Sequence, residues 1–143
     1  MWNYVGRGLV GILLIITSVQ DIRWKKIRLW VVILGMVLIC ICIPFSTTLS
    51  VLDRLLGITP GIGVLILSKL TSGKIGMGDG LILGVTGIEL GFWGNMELFA
   101  LALLFAALFS IVLLILRRAD RKKAIPFIPF ILLAYIVLMV QIK

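Results

Sequence analysis

The chain has 143 residues, of which 62% are hydrophobic and only 14% charged, and its mean hydropathy is +1.24. Soluble domains are nearer half apolar and about a quarter charged, so a soluble fold is excluded and an all-α integral membrane protein is expected. Histidine is absent and the only cysteines are Cys40 and Cys42, which excludes a Cys/His zinc site, needing about four ligands, and any Ser-His or Cys-His catalytic pair.

In chain order the apolar runs are Tyr4–Gln20, Leu29–Pro44, Val51–Leu70, Leu81–Trp93, Leu98–Leu116 and Phe127–Gln141. At roughly 20 residues per span, this predicts about six transmembrane helices forming a single polytopic domain over residues 1–143. The first run lacks a small-x-small cleavage site before Gln20-Asp21, so it reads as a retained helix and not a signal peptide. Cys40 and Cys42 lie inside the second run and read as packing residues. The fourth run is short and carries Gly84, Gly87 and Gly91, a spacing that lets helices approach closely.

The net charge of +8 is explained by where the charges fall. Arg23, Lys25, Lys26 and Arg28 follow the first run, Lys69 and Lys74 the third, and Arg117, Arg118, Arg121, Lys122 and Lys123 the fifth. Cytoplasmic loops carry the Lys/Arg excess, so both termini are expected outside. The basic charge is then a topology signal with contacts to anionic lipid, and no nucleic-acid partner is expected. Arg7, Arg54 and Lys143 stand apart from the pattern.

Counting crossings sorts the acids. Asp21 closes the first helix on the cytoplasmic side, and Asp79 opens the fourth on that same side. Asp53, Glu89 and Glu97 fall on the outer side. Asp120 shares the inner face but sits in the Arg117–Lys123 cluster, where it reads as a charge-balanced loop acid. Asp21 and Asp79 lie instead at the hydrocarbon boundary, where acids are costly and are functional candidates. Gly76 and Gly78 flank Met77 just before Asp79. Glycine permits positive φ and close backbone approach, which suits a tight turn bringing an acid against a substrate backbone. Two adjacent carboxylates titrate as a pair and can perform general acid–base work on water. Asp79 would lie near the positive end of its helix dipole and Asp21 near a negative end. That suggests Asp79 as the base and Asp21 as the acid, although Arg23, Lys25 and Lys26 oppose the assignment for Asp21.

Three segments carry a family resemblance. Asp21-Ile22-Arg23-Trp24-Lys25-Lys26-Ile27 resembles the first aspartate segment of the type IV prepilin peptidases. Gly76-Met77-Gly78-Asp79 is similar to their Gly-x-Gly-Asp segment, and Ile125-Pro126-Phe127-Ile128-Pro129-Phe130 to the segment that opens their last helix. The resemblance implies a membrane aspartic endopeptidase that cuts leaders from pilin-like or pseudopilin-like precursors at the cytoplasmic face. It implies Asp21 and Asp79 as catalytic residues; Gly76 and Gly78, read from their residue type, are expected at the substrate. Leu81 stands where many members have lysine, and no cysteine-rich insert is present, so cleavage without methylation is expected. Presenilin-like proteases share Gly-x-Gly-Asp, but their first aspartate follows tyrosine; here Gln20 precedes Asp21. Pro126 and Pro129 also have a plain reading, since proline is tolerated in the first turn of a helix.

These readings predict a peptidase whose partners are a prepilin-like precursor and the lipid bilayer, without metal or organic cofactor. The alternative is a small transporter or channel subunit using the same acids as ion or proton ligands, suggested by the glycines and the short, broken-looking fourth span.

Overall fold

The computed structural model describes residues 2–24, 27–45, 49–72, 76–116 and 125–141. Lys25, Lys26, Lys74, Asp120, Lys143 and the basic residues from Arg117 to Lys123 lie outside these, and with them most of the loop charges behind the expected topology.

All regular structure among the described residues is helical. Helix α1 spans Trp2–Trp24, α2 Leu29–Cys42, α3 Val51–Gly57, α4 Thr59–Leu70, α5 Met77–Ile115 and α6 Ile128–Gln141, with a short 3-10 turn at Ile43–Phe45 after α2. Three segments, Tyr4–Trp24, Val51–Leu70 and Met77–Ile115, are long and apolar enough to cross a membrane, and Leu29–Cys42 and Ile128–Gln141 are shorter apolar helices. The polarity is that of a membrane protein. Large apolar side chains such as Trp30, Leu70 and Ile115 are exposed, whereas Thr17, Thr86 and Asn95 are fully buried.

The third run is not one uninterrupted helix. α3 ends at Gly57 and α4 resumes at Thr59, with Pro60 in its first turn. Proline there sacrifices no intrahelical bond, and the Thr59 hydroxyl bonds the Leu56 carbonyl at 2.6 Å across the junction.

The fourth and fifth runs are not separated by a loop, as their boundaries at Trp93 and Leu98 predicted. α5 carries both, and its helical geometry fails only at Gly91, with φ +73° and ψ −176°. Hydrogen bonds across this point show that the chain reverses there. The Asn95 side-chain Nδ2 donates to the Leu83 carbonyl at 2.8 Å, and the Thr86 hydroxyl donates to Asn95 Oδ1 at 2.8 Å. In a continuous helix residues 83 and 95 would stand about 18 Å apart. α5 is therefore a hairpin whose arms are residues 77–90 and 92–115. The polar stretch Gly94–Glu97 lies within the second arm, not in a loop.

The short first arm packs antiparallel to α3 and α4 along a seam of small residues. A Cβ on Gly57 would strike the Gly87 carbonyl, and one on Gly61 would strike the Gly84 backbone. The glycines of this run thus serve close packing. α1 runs antiparallel to the same arm, and α2 and α6 pack on α1. The core gathers Leu14, Ile39, Val64, Ile82, Leu83, Leu98 and Ile131 from α1, α2, α4, α5 and α6. Cys42 joins the buried set, but Cys40 is exposed, so only one of the two cysteines packs inside.

Candidate active site

Asp21 does not end α1; the helix continues one turn further, to Trp24. This keeps Asp21 on a rigid helical backbone, and it is buried at 9% exposure. Its partner in space is the start of α6. The first N–H groups of a helix have no intrahelical acceptor, and at α6 each is accounted for. The Ile128 N–H donates to Asp21 Oδ2 at 3.3 Å. Pro129 has no N–H to satisfy. Phe130 and Ile131 both donate to the Phe127 carbonyl, at 3.0 and 3.3 Å. The proline segment therefore does two things: Pro129 opens α6 without cost, and the one remaining donor is given to the aspartate.

Asp79 lies in the first turn of α5, behind the N-cap residue Gly76. Its N–H donates to the Gly76 carbonyl at 3.2 Å. The side chain folds back over that same residue: a Cβ on Gly76 would come within 2.9 Å of Asp79 Oδ2. Asp79 is half-buried, and the ionisable group that acts on it electrostatically is Asp21. The residues singled out in the sequence are thus brought together. Asp21, the Gly76–Asp79 turn and the Ile125–Phe130 segment meet at one end of the bundle.

The reason expected for the glycines needs correction. Neither has positive φ; Gly76 is extended at φ −63° and ψ 121°, and among the described residues the only left-handed ones are Gly91 and Ser72. What Gly78 supplies is space, because a Cβ there would collide with the Cδ1 of Ile27. Asp79 sits in the first turn of α5, whereas Asp21 lies in the last turn of α1 and also accepts the first N–H of α6, so the Asp21 carboxylate meets a positive helix end as well as a negative one.

A second polar cluster, which the sequence did not reveal as one, lies at the opposite end. Arg54 and Glu89 are both buried and form a salt bridge, Nη1 to Oε2 3.8 Å, and the same nitrogen donates to the Ile88 carbonyl at 2.8 Å. Arg7 also acts on Glu89, and its carbonyl accepts the Tyr135 hydroxyl at 2.7 Å. Asp53 Oδ1 accepts the Phe92 N–H at 3.3 Å, where the second arm of α5 begins. Of the three basic residues outside the loop pattern, Arg54 is therefore paired with a buried acid and Arg7 acts on the same acid electrostatically. Their misfit to the pattern was the signal for this cluster.

The model of the type IV leader peptidase family matches residues 8–115, which include Asp21 and the Gly76–Asp79 turn. The chain belongs to this family. It is a protease family, and the Ile125–Phe130 segment lies beyond the matched stretch. No curated protein and no solved structure matches the chain.

Proposed function

We propose that this leader peptidase family member is an aspartic endopeptidase that removes the leader from type IV prepilin-like precursors at the cytoplasmic face of the membrane. The observation that supports the reading is that Asp21, which accepts the first N–H of α6, acts electrostatically on Asp79 in the first turn of α5, in a family of leader peptidases. In this reading the chain is one domain of six spans with both termini outside, the two arms of α5 counting as the fourth and fifth.

The chemistry follows from the pair. One carboxylate takes a proton from water as the oxygen attacks the scissile carbonyl, and the other, protonated, delivers a proton to the leaving amine. The balance is one water consumed and one amide split into an acid and an amine, with no metal or cofactor in the step. A helical peptide has its carbonyls engaged, so the scissile bond must lie in an extended stretch, between a basic leader and the apolar helix of the precursor. Gly76 and the backbone of Gly78 would lie beside that stretch, the space where a Gly78 side chain would stand being taken by Ile27.

The test is direct. Purified protein in detergent is incubated with a precursor carrying a basic leader, a glycine and an apolar helix, and the product is read by mass spectrometry. The expected result is one cut before the helix, lost in Asp21→Asn and in Asp79→Asn. If either variant cleaves at the normal rate, the two-aspartate mechanism is wrong.

A further inference from the structure

Two contacts join the aspartates through side chains that have no catalytic chemistry of their own. The first anchors the connection after α1. The Arg28 N–H donates to Gln20 Oε1 at 3.2 Å, and Gln20 is the residue before Asp21. The second begins next to that anchor, where the Ile27 side chain fills the space over Gly78, the residue before Asp79. Each carboxylate is thus one residue from a continuous path, Gln20 to Arg28 to Ile27 to Gly78. Ile27 is half-buried and packed on the core, so it is held from behind as well.

We propose that Ile27 is a positioning residue whose side chain, seated on Gly78, fixes the separation of Asp21 and Asp79. Gly78 is glycine to receive it. The proposal rests on the two-aspartate reading for its kinetic consequence but not for its geometric one. A misplacement of about 1 Å in a reacting constellation costs on the order of 10²-fold in rate.

The contact distances supply a compensation test. A methyl at position 78 would overlap Ile27 Cδ1 and lie 3.0 Å from its Cγ1, but 3.4 Å from its Cβ, an ordinary contact. Shortening Ile27 to alanine therefore makes room for the methyl, and the new pair meets where the old one did. Gly78→Ala is expected to lower kcat about 10²-fold with KM within about twofold. Ile27→Ala alone is expected to lower kcat about tenfold, Ile27→Leu much less. The double variant Ile27→Ala/Gly78→Ala is expected to recover at least tenfold over Gly78→Ala. Leu98→Ala, in the core of the second arm of α5, serves as a stability control that loses unfolding temperature and keeps kcat in the folded fraction.

A second readout needs no activity. With Cys40 and Cys42 replaced by alanine, Asp21→Cys and Asp79→Cys are joined by bifunctional thiol reagents of graded length. Ile27→Ala is expected to shift the preferred reagent length and slow the reaction about tenfold; Leu98→Ala is expected to change neither. A Gly78→Ala variant of normal turnover, a double variant no better than Gly78→Ala, or a rise in KM in place of the fall in kcat would overturn the proposal. So would a cross-linking pattern indifferent to Ile27→Ala. If the wild-type chain cleaves no precursor, the peptidase reading fails and the cross-linking comparison still decides the role of Ile27.

Discussion

Asp79 and Glu89 stand on the same arm of α5, ten residues and about 15 Å apart, in opposite company. Glu89 is buried against the guanidinium of Arg54, with Arg7 as a second positive neighbour. Asp79 is half-buried, and its ionisable neighbour is a second carboxylate. An acid neutralised by a buried base contributes to one folded arrangement, and removing one partner strands the other charge. Two acids facing each other oppose folding, and local costs of this kind are expected where function requires them. The molecule thus has an end that holds α3, α5 and α1 together and an end where the proposed chemistry would take place. Substitutions at the two ends should therefore move different measurements.

The largest effect is expected at the Asp21/Asp79 end. Asp21→Asn and Asp79→Asn should each reduce precursor cleavage by about 10²–10⁴-fold, the range for loss of a general acid or base. The unfolding temperature in detergent should fall little or rise. A large loss of stability in either variant would break the division.

At the other end, Arg54→Ala leaves Glu89 buried without its partner, which costs about 3–5 kcal/mol when such a pair is broken. Denaturant unfolding in detergent should show that loss, with kcat in the remaining folded fraction within a few-fold of normal. Glu89→Gln should cost less, since the amide can still accept from Arg54. A kcat that fell in step with the unfolding free energy would mean that the two ends are one functional unit.

The next effect concerns the hinge between arms. Gly91→Ala places a side chain at φ +73°, ψ −176°, backbone essentially reserved for glycine and costing about 1–3 kcal/mol otherwise. Its Cβ would also fall 2.5 Å from Asp53 Oδ2. Loss of unfolding free energy, with the Asp21/Asp79 cross-link unaltered, is the expected outcome. A changed cross-link would show that strain at the hinge reaches the aspartates.

How much of this could be read in advance depends on the range of the contacts. That Asp21 and Asp79 lie toward one end of the bundle was expected from the alternation of basic loops, a one-dimensional signal, and in the structure Asp21 is the ionisable group that acts on Asp79. The reversal in α5 was expected but misplaced. Glu97 and Asn95 have the polarity of a loop, whereas Asn95 is fully buried and bonds Leu83 and Gly57 carbonyls. The Arg54–Glu89 pair spans two helices with no periodic trace, and only the misfit of Arg7 and Arg54 to the loop pattern pointed to it. Gly78 looked like a turn glycine from its neighbours Met77 and Asp79. Its actual reason, the Ile27 side chain, comes from a connection between other helices, and sequence proximity carries no sign of that.

The smallest effect sharpens the boundary between the two ends. Asp53 caps the second arm of α5 by accepting the Phe92 N–H, and its own N–H is capped in turn by the Ser50 hydroxyl at 3.2 Å. The reversal at Gly91 deprives Phe92 of a preceding helical turn, so its N–H is one of the donors that a helix start leaves unpartnered. Loss of such a cap costs about 0.5–2 kcal/mol. Asp53→Asn keeps an acceptor oxygen and should lose a few tenths of a kcal/mol, while Asp53→Ala should lose about 1 kcal/mol. The Gly91→Ala clash is with the Asp53 carboxylate, so Asp53→Ala should relieve part of it, and the double variant should lose less than the sum of the two single losses. Strict additivity in denaturant unfolding would mean that Asp53 and Gly91 act separately, and that the hinge is held by the Arg54–Glu89 pair and Asn95 alone.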